Sequence, residues 1–235
     1  MKWTPKSYRK LLTLIVICLG SLTILSNSST VRAQGDQKIV YDYVFLIDTS
    51  GSMNEGNPPL FGQVITVASD FINQLPNGAN LTIITFDTTI KEFGRWQNLT
   101  SISKESIVQS LSELRANGNY TAMWDAVCAG VSEMEAMNDD DNTHIQLLIS
   151  YTDGEDNVSV NSPGACLQRY LLLLKNGYTY WIYNSLNNIS VPTELLELQE
   201  NLVINRSINP TPIRPSSISA LYLEYGQFIG FSDFY

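Results

Sequence analysis

The hydrophobic pattern of this chain alternates between short apolar runs and longer segments with helical periodicity. Residues 44–47 and 147–149 are entirely apolar, which is typical of strands buried on both faces of a sheet. Residues 60–75 instead place their apolar side chains on one helical stripe, which predicts a helix with one buried face. The predicted strands cover residues 38–48, 81–86, 90–96, 143–151, 178–183 and 202–205. The predicted helices cover residues 60–75, 103–114, 122–137, 166–175 and 192–200.

The order of these elements indicates an α/β fold. Strands that alternate with helices favour a doubly wound, mostly parallel central sheet with helices on both faces. A short turn at residues 87–89 predicts a hairpin, which would give the sheet one antiparallel edge. Ser103 is expected to cap the helix that it begins. Beyond residue 209, regular structure is expected to be interrupted by Pro210, Pro212 and Pro215.

The first predicted strand ends in an acid and three hydroxyl side chains, Asp48, Thr49, Ser50 and Ser52. A carboxylate and hydroxyls are costly to bury without partners, so packing alone does not explain them. In open α/β sheets, ligands bind in the crevice at the carboxyl ends of the strands. Because Asp48, Ser50 and Ser52 alternate, a curled loop can turn all three oxygens inward. Such an all-oxygen cluster suits a hard cation such as Mg²⁺.

Residues 48–52, Asp-Thr-Ser-Gly-Ser, resemble the D-x-S-x-S signature of von Willebrand factor A domains. Two later segments are similar to the other two motifs of that family. Residues 118–126 resemble its G-x-T loop, and residues 150–156 resemble its T/S-D-G loop. The three segments follow one another in the family's order, so the resemblance is specific. It defines a predicted domain at residues 34–207.

The resemblance implies a Rossmann-like fold with a metal-ion-dependent adhesion site. The ligands it implies for Mg²⁺, or for Mn²⁺, are Asp48, Ser50, Ser52, Thr121 and Asp153. It also implies that one coordination position is left for an acidic side chain of a protein partner. The expected function is therefore cation-dependent protein binding and cell adhesion. Three of the residues have simpler alternatives, since Asp48 could cap a turn, Thr121 could cap the next helix and Asp153 could be an ordinary turn residue.

Residues 1–33 have the layout of a secretory signal peptide, with basic residues before an apolar run and small residues at the cleavage point. The alternative is an uncleaved anchor, but the apolar run is short for a membrane span of about 20 residues. The expected location is secreted or periplasmic, in a bacterial source. Loss of this leader removes five of the fourteen Lys and Arg and no acid, which leaves nine bases against twenty-three acids and a net charge of −14. So acidic a chain is not expected to bind nucleic acid or an anionic membrane surface.

Two features of the mature chain leave alternatives open. Cys128 and Cys166 form either a disulfide, as is common in exported proteins, or two buried thiols. The aromatic segment at residues 208–235 is either a tail that packs against the domain or a docking segment for a partner.

Enzyme classes fit this sequence less well than a binding module does. The single histidine, His144, begins a predicted strand, which argues against a His-rich zinc site and against a Ser-His-Asp triad. Ser50 interrupts the aspartic peptidase motif and stands where a HAD-type phosphatase has its second Asp. The chain is therefore predicted not to be an enzyme. The alternative functions are a structural subunit of a surface or secretion complex and a metal-dependent hydrolase.

Overall fold

The computed structural model describes residues 38–139, 141–154, 156–176, 178–186, 192–195 and 212–213. The strands are β1 (Ile39–Asp48), β2 (Asn80–Phe86), β3 (Ile90–Trp96), β4 (Thr143–Thr152), β5 (Tyr178–Ser185) and β6 (Pro212–Ile213). The helices are α1 (Leu60–Gln74), α2 (Ser101–Ser112), α3 (Met123–Met137) and α4 (Pro163–Asn176), with a short 3₁₀ helix at Gly51–Asn54. Four predictions lie wholly or mostly outside the described residues: the signal peptide, the strand at 202–205, the helix at 192–200 and the tail at 208–235.

The strands form one sheet in the order β3-β2-β1-β4-β5-β6. β1 pairs in parallel with both β2 and β4, β4 pairs in parallel with β5, and β3 is antiparallel to β2. The prediction of a mostly parallel sheet with one antiparallel edge is therefore confirmed. Ile47 of β1 lies opposite Tyr151 of β4, so the carboxyl ends of these two strands meet at the same edge of the sheet.

Two hydrophobic cores lie on opposite faces of the sheet, because successive side chains of β1 point to alternate sides. Phe45 and Ile47 belong to the core that α1 and α2 cover. Val44 and Leu46 belong to the core that α3 and α4 cover. All four side chains are fully buried, as the continuous apolar run predicts for a central parallel strand.

The predicted start of α2 is wrong by two residues, because Thr100 is the N-cap and not Ser103. The Thr100 side-chain oxygen accepts the Ser103 N–H at 3.2 Å, and Ser103 Oγ accepts the Thr100 N–H at 2.8 Å. This reciprocal pair is a capping box. Ser103 therefore contributes to the cap from the third helical position.

The expectation that Pro212 interrupts regular structure is also wrong. Pro212 and Ile213 pair in parallel with Tyr183 and Asn184 of β5, at the edge of the sheet. A proline lacks the N–H donor, but it is tolerated as the first residue of an edge strand.

A disulfide joins α3 to α4 through Cys128 and Cys166, whose Cα atoms are 4.8 Å apart. That separation lies within the usual range for a disulfide, and the structure thus decides between the two alternatives for these cysteines. In the part of the chain that the structure describes, none of the helices has the length and apolarity needed to cross a membrane.

Candidate functional site

Asp48 is the last residue of β1, and its side chain is fully buried. Its Oδ1 accepts the Ser50 N–H at 2.8 Å, and its Oδ2 accepts the Thr152 hydroxyl at 2.6 Å. Burial raises the pKa of Asp48, these hydrogen bonds oppose the shift and the charge of Asp87 adds to it, so the pKa lies above its ordinary value. The two bonds fix the orientation of the carboxylate and still leave each oxygen a free lone pair.

A chain of hydrogen bonds runs from Ser50 to Asp153. Ser52 Oγ donates to Asp153 Oδ1 at 3.0 Å, and the Ser50 and Ser52 hydroxyl oxygens are 3.1 Å apart. Since the Ser52 proton goes to Asp153, Ser50 must be the donor to Ser52. Two hydroxyls and a carboxylate therefore lie in direct contact at the carboxyl edge of the sheet.

The other oxygen of Asp153, Oδ2, is buried without a hydrogen-bond partner in the structure. Burial raises the pKa of Asp153 to about 6, the Ser52 hydrogen bond opposes the shift, and the negative charges of Asp48 and Glu55 add to it. A buried carboxylate oxygen without a partner costs free energy. Such an atom beside two hydroxyls has the chemistry that a hard cation needs, so these residues fit Mg²⁺ or Mn²⁺.

Thr121 lies just before α3 and is buried. Its side chain does not cap the helix, because the N-cap position is Ala122, whose own side chain makes no capping hydrogen bond. The hydroxyl instead lies against the turn after Asp153, since a Cβ placed on Gly154 would be 3.0 Å from Thr121 Oγ1. The N-cap alternative for Thr121 is therefore wrong.

The loop that carries Thr121 also pairs with the loop after β1. The Gly51 N–H donates to the Gly118 carbonyl at 2.7 Å, and the Gly118 N–H donates to the Thr49 carbonyl at 3.0 Å. A side chain at Gly118 would collide with Asp87, whose Cβ would be 2.2 Å from the new Cβ. Only glycine therefore allows residue 118 to lie this close to Asp87, in the turn between β2 and β3. The structure thus brings all five predicted ligands to one edge of the sheet.

Comparison with protein families agrees with this architecture. A model of the von Willebrand factor type A domain matches residues 42–183, which is more than half of the chain. The chain belongs to this family. No curated protein matches it significantly.

Several solved structures share the fold of this von Willebrand factor A domain. A von Willebrand factor type A protein from Catenulispora acidiphila is 18% identical with a TM-score of 0.61, and the match covers 82% of this chain and 42% of that one. Proximal thread matrix protein 1 from the mussel byssus, with a zinc-occupied MIDAS motif, is 17% identical with a TM-score of 0.59 and coverages of 82% and 45%. The pilus adhesin SpaC from Lactobacillus rhamnosus GG is 15% identical with a TM-score of 0.56 and coverages of 83% and 30%.

These likenesses establish the fold, and this chain spans less than half the length of each of the three proteins. The fold places the predicted ligands at the edge where α/β sheets bind ligands. Within the described residues, no three His, Cys, Asp or Glu side chains converge into a metal cluster. The predicted ligand set is of a different kind, because it combines two carboxylates with three Ser and Thr hydroxyls.

Sequence reasoning missed two residues of this von Willebrand factor A domain that contact the predicted ligands. Thr152 holds Asp48, and Asn157 binds the backbone of Thr121. Thr152 carried a weak signal, because a hydroxyl residue directly precedes Asp153 at the end of a strand. Asn157 carried none, because its contact spans 36 residues and depends on how the loops fold.

A separate polar cavity of about 280 Å³ lies at the amino ends of β1, β2 and β4, opposite the proposed ligands. Several of its charged groups pair with one another. Arg95 contacts Glu133 at 2.5 Å, and His144 Nδ1 lies 2.6 Å from Asp42 Oδ2. His144 Nε2 is also 3.2 Å from Asp139 Oδ2, at ion-pair distance but without hydrogen-bond alignment.

Proposed function

We propose that this domain binds a divalent cation, Mg²⁺ or Mn²⁺, and uses it to hold an acidic side chain of a protein partner. The proposed ligands are Asp48, Ser50, Ser52, Thr121 and Asp153. The observation that carries the proposal is the buried, unpartnered Oδ2 of Asp153, which lies in a cluster of oxygen atoms. When bound, the cation supplies a local positive charge with a coordination position open to an outside carboxylate.

The residues of this chain have distinct tasks in the proposed site. Thr152 and the Ser50 N–H orient the Asp48 carboxylate. The Ser50 and Ser52 hydroxyls provide neutral oxygens, so only two carboxylates offset the charge of the cation. Mg²⁺ takes six oxygen ligands, so the five proposed here leave one coordination position for a carboxylate of a partner. This arrangement supports a site that completes its coordination with a partner's Asp or Glu.

We also propose that the domain is a binding module and not an enzyme. The chain has one histidine, and His144 lies at the start of β4, whereas the proposed site lies at the ends of β1 and β4. An imidazole base is therefore remote from the proposed cation. A location outside the cytoplasm is part of the proposal, and the Cys128–Cys166 disulfide supports it, because such bonds persist in oxidising compartments.

The test is a pull-down from the exported proteins of the source organism, with residues 34–235 as bait. Three conditions are compared: Mg²⁺, EDTA, and Mg²⁺ with the isosteric Asp48→Asn variant. Asp70→Asn is the matched control, because Asp70 is exposed on α1. The proposal predicts a partner that is retained by the wild type and by Asp70→Asn in Mg²⁺ only. A partner retained in all conditions would contradict cation-mediated binding and favour the assembly role.

A further inference from the structure

The segment at residues 156–161 wraps around the amino end of α3. The Asp125 carboxylate, in the first turn of the helix, accepts the Val160 N–H at 3.1 Å and the Asn161 N–H at 2.8 Å. The Asn161 side-chain amide donates to the same carboxylate at 2.8 Å. In return, the Asp125 N–H donates to Ser159 Oγ at 3.1 Å. The segment is thus tied to the helix by bonds in both directions.

This wrapping segment replaces the missing helix cap. The first N–H groups of a helix have no partners within the helix, and Ala122 has no side chain that could accept from them. Asp156 Oδ1 accepts the Trp124 N–H at 3.3 Å, next to the bond between Asp125 and Ser159. The cap therefore comes from the loop after β4, which is also the loop that carries Asp153.

Asn157 makes the contact that matters most for the proposed site, because it binds both backbone polar groups of Thr121. The Thr121 N–H donates to Asn157 Oδ1 at 3.0 Å, and the Asn157 N–H donates to the Thr121 carbonyl at 3.1 Å. These two bonds restrict the backbone torsions of Thr121. The direction of its hydroxyl depends on those torsions, because β-branched side chains have few rotamers.

We propose that Asn157 is a positioning residue that holds the Thr121 hydroxyl toward the Asp153 turn, so that the two loops present their ligands together. The inference rests on the proposed cation site, since it assigns Thr121 a ligand role there. Asn157 does not itself act as a ligand in this account. Its side-chain oxygen is used by the Thr121 N–H, and it acts through Thr121 alone.

Three variants separate this role from a general effect on the loop. Asn157→Ala removes the acceptor, and because Asn157 is exposed, it removes little packing. Asn157→Asp keeps an acceptor at the same position. Asn161→Ala removes a side-chain bond from the same segment, but that bond goes to Asp125 and not to Thr121. If Asn157→Ala does not fold, Asn157→Gln takes its place in the experiment, because the longer side chain displaces the acceptor by one methylene.

The first readout is hydrogen exchange of the Thr121 amide in protein stripped of metal. The inference predicts faster exchange in Asn157→Ala and wild-type protection in both Asn157→Asp and Asn161→Ala. Unchanged protection in Asn157→Ala would overturn the inference. Equal loss in Asn157→Ala and Asn161→Ala would also overturn it, because the effect would then belong to the whole segment.

The second readout is Mg²⁺ affinity by titration calorimetry on the same variants. The inference predicts that Asn157→Ala binds about fivefold more weakly, the effect of one lost hydrogen bond, and that Asn157→Asp restores the affinity. If the wild type binds and Asn157→Ala binds equally well, the positioning role is wrong while the proposed function stands. If the wild type does not bind Mg²⁺ at all, the proposed function is wrong, and so is the ligand role of Thr121.

Discussion

Thr152 shows how single residues prepare the proposed site, because its hydroxyl is the partner of the buried Asp48 Oδ2. We predict that Thr152→Val, which keeps the shape of the side chain, lowers the free energy of unfolding by about 1–3 kcal/mol, since it leaves a buried carboxylate oxygen unpaired. Without this hydrogen bond, the pKa of Asp48 should rise further above its ordinary value. Urea denaturation of the metal-free protein measures the stability change.

The matched control for that prediction is Thr66→Val on α1. The Thr66 hydroxyl is exposed and donates only to the Gly62 carbonyl of its own helix. This control should change the free energy of unfolding little. Equal losses of unfolding free energy in Thr66→Val and Thr152→Val would show that the hydrogen bond to Asp48 contributes no more to stability than an exposed one.

Residues that are adjacent in the chain were the predictable part of the candidate site. Asp48, Ser50 and Ser52 form one motif, so the sequence alone indicates that their oxygens converge. The contacts made by Thr152 and Asn157 join residues 104 and 36 positions apart. No local pattern encodes such distances, because they depend on the pairing of β1 with β4 and on the path of the loop beyond β4. Asn157 could therefore be found only in the folded chain, and the weak signal at Thr152 did not reveal its bond to Asp48.

At the scale of elements, the disulfide between α3 and α4 ties together the two helices on one face of the sheet. The bond closes a loop of 38 residues, so the chain-entropy model gives it about 4 kcal/mol of stability. We predict that the double variant Cys128→Ala/Cys166→Ala loses stability on this scale. Chemical denaturation without reductant measures the loss.

Reduced wild-type protein is the control for the disulfide prediction, because it keeps both sulfur atoms and lacks only the bond. A similar loss in the reduced protein and in the double variant would assign the stability to the cross-link. Wild-type stability in the reduced protein would contradict the prediction, and any loss in the variant would then come from the missing side-chain volume.

The elements themselves were mostly predictable, because long apolar patterns determine both their type and their order. The first and last residues of the helices were less predictable. Thr100 and Ser103 are both good N-cap residues, and only the hydrogen bonds between them show which one precedes the helix. The start of α4 at Pro163 lies three residues before its predicted start at Cys166. The residues before Cys166 are not strongly apolar, so periodicity did not reveal that first turn.

At the scale of the whole molecule, the two ends of the parallel strands differ in chemistry. The carboxyl ends carry the proposed cation ligands, whereas the amino ends carry His144 and the charged groups around it. Near His144, the charged groups are Asp42, Asp139, Lys38, Arg95 and Glu133. Burial lowers the pKa of His144, but contacts with Asp42 and Asp139 outweigh it and hold the pKa above its ordinary value. The folded protein therefore binds this proton more tightly than the unfolded chain does.

This linkage predicts a stability that depends on pH. The contribution of protonated His144 is fully present below its unfolded pKa of about 6.5 and is lost as the pH rises through the higher folded value. The free energy of unfolding should therefore fall above about pH 6.5. The change should be smaller in Asp42→Asn, which removes the charge beside the ring. An identical pH dependence in the variant would show that this contact does not control the titration.

We propose above all that a divalent cation binds among Asp48, Ser50, Ser52, Thr121 and Asp153. The most direct measurement is titration calorimetry of residues 34–235 with Mg²⁺ after removal of bound metal. We predict a single binding site in the wild type and in the Asp70→Asn control, and at least a roughly tenfold weaker affinity in Asp48→Asn. Equal binding by Asp48→Asn and the wild type, or no binding by the wild type, would contradict a cation site at these residues.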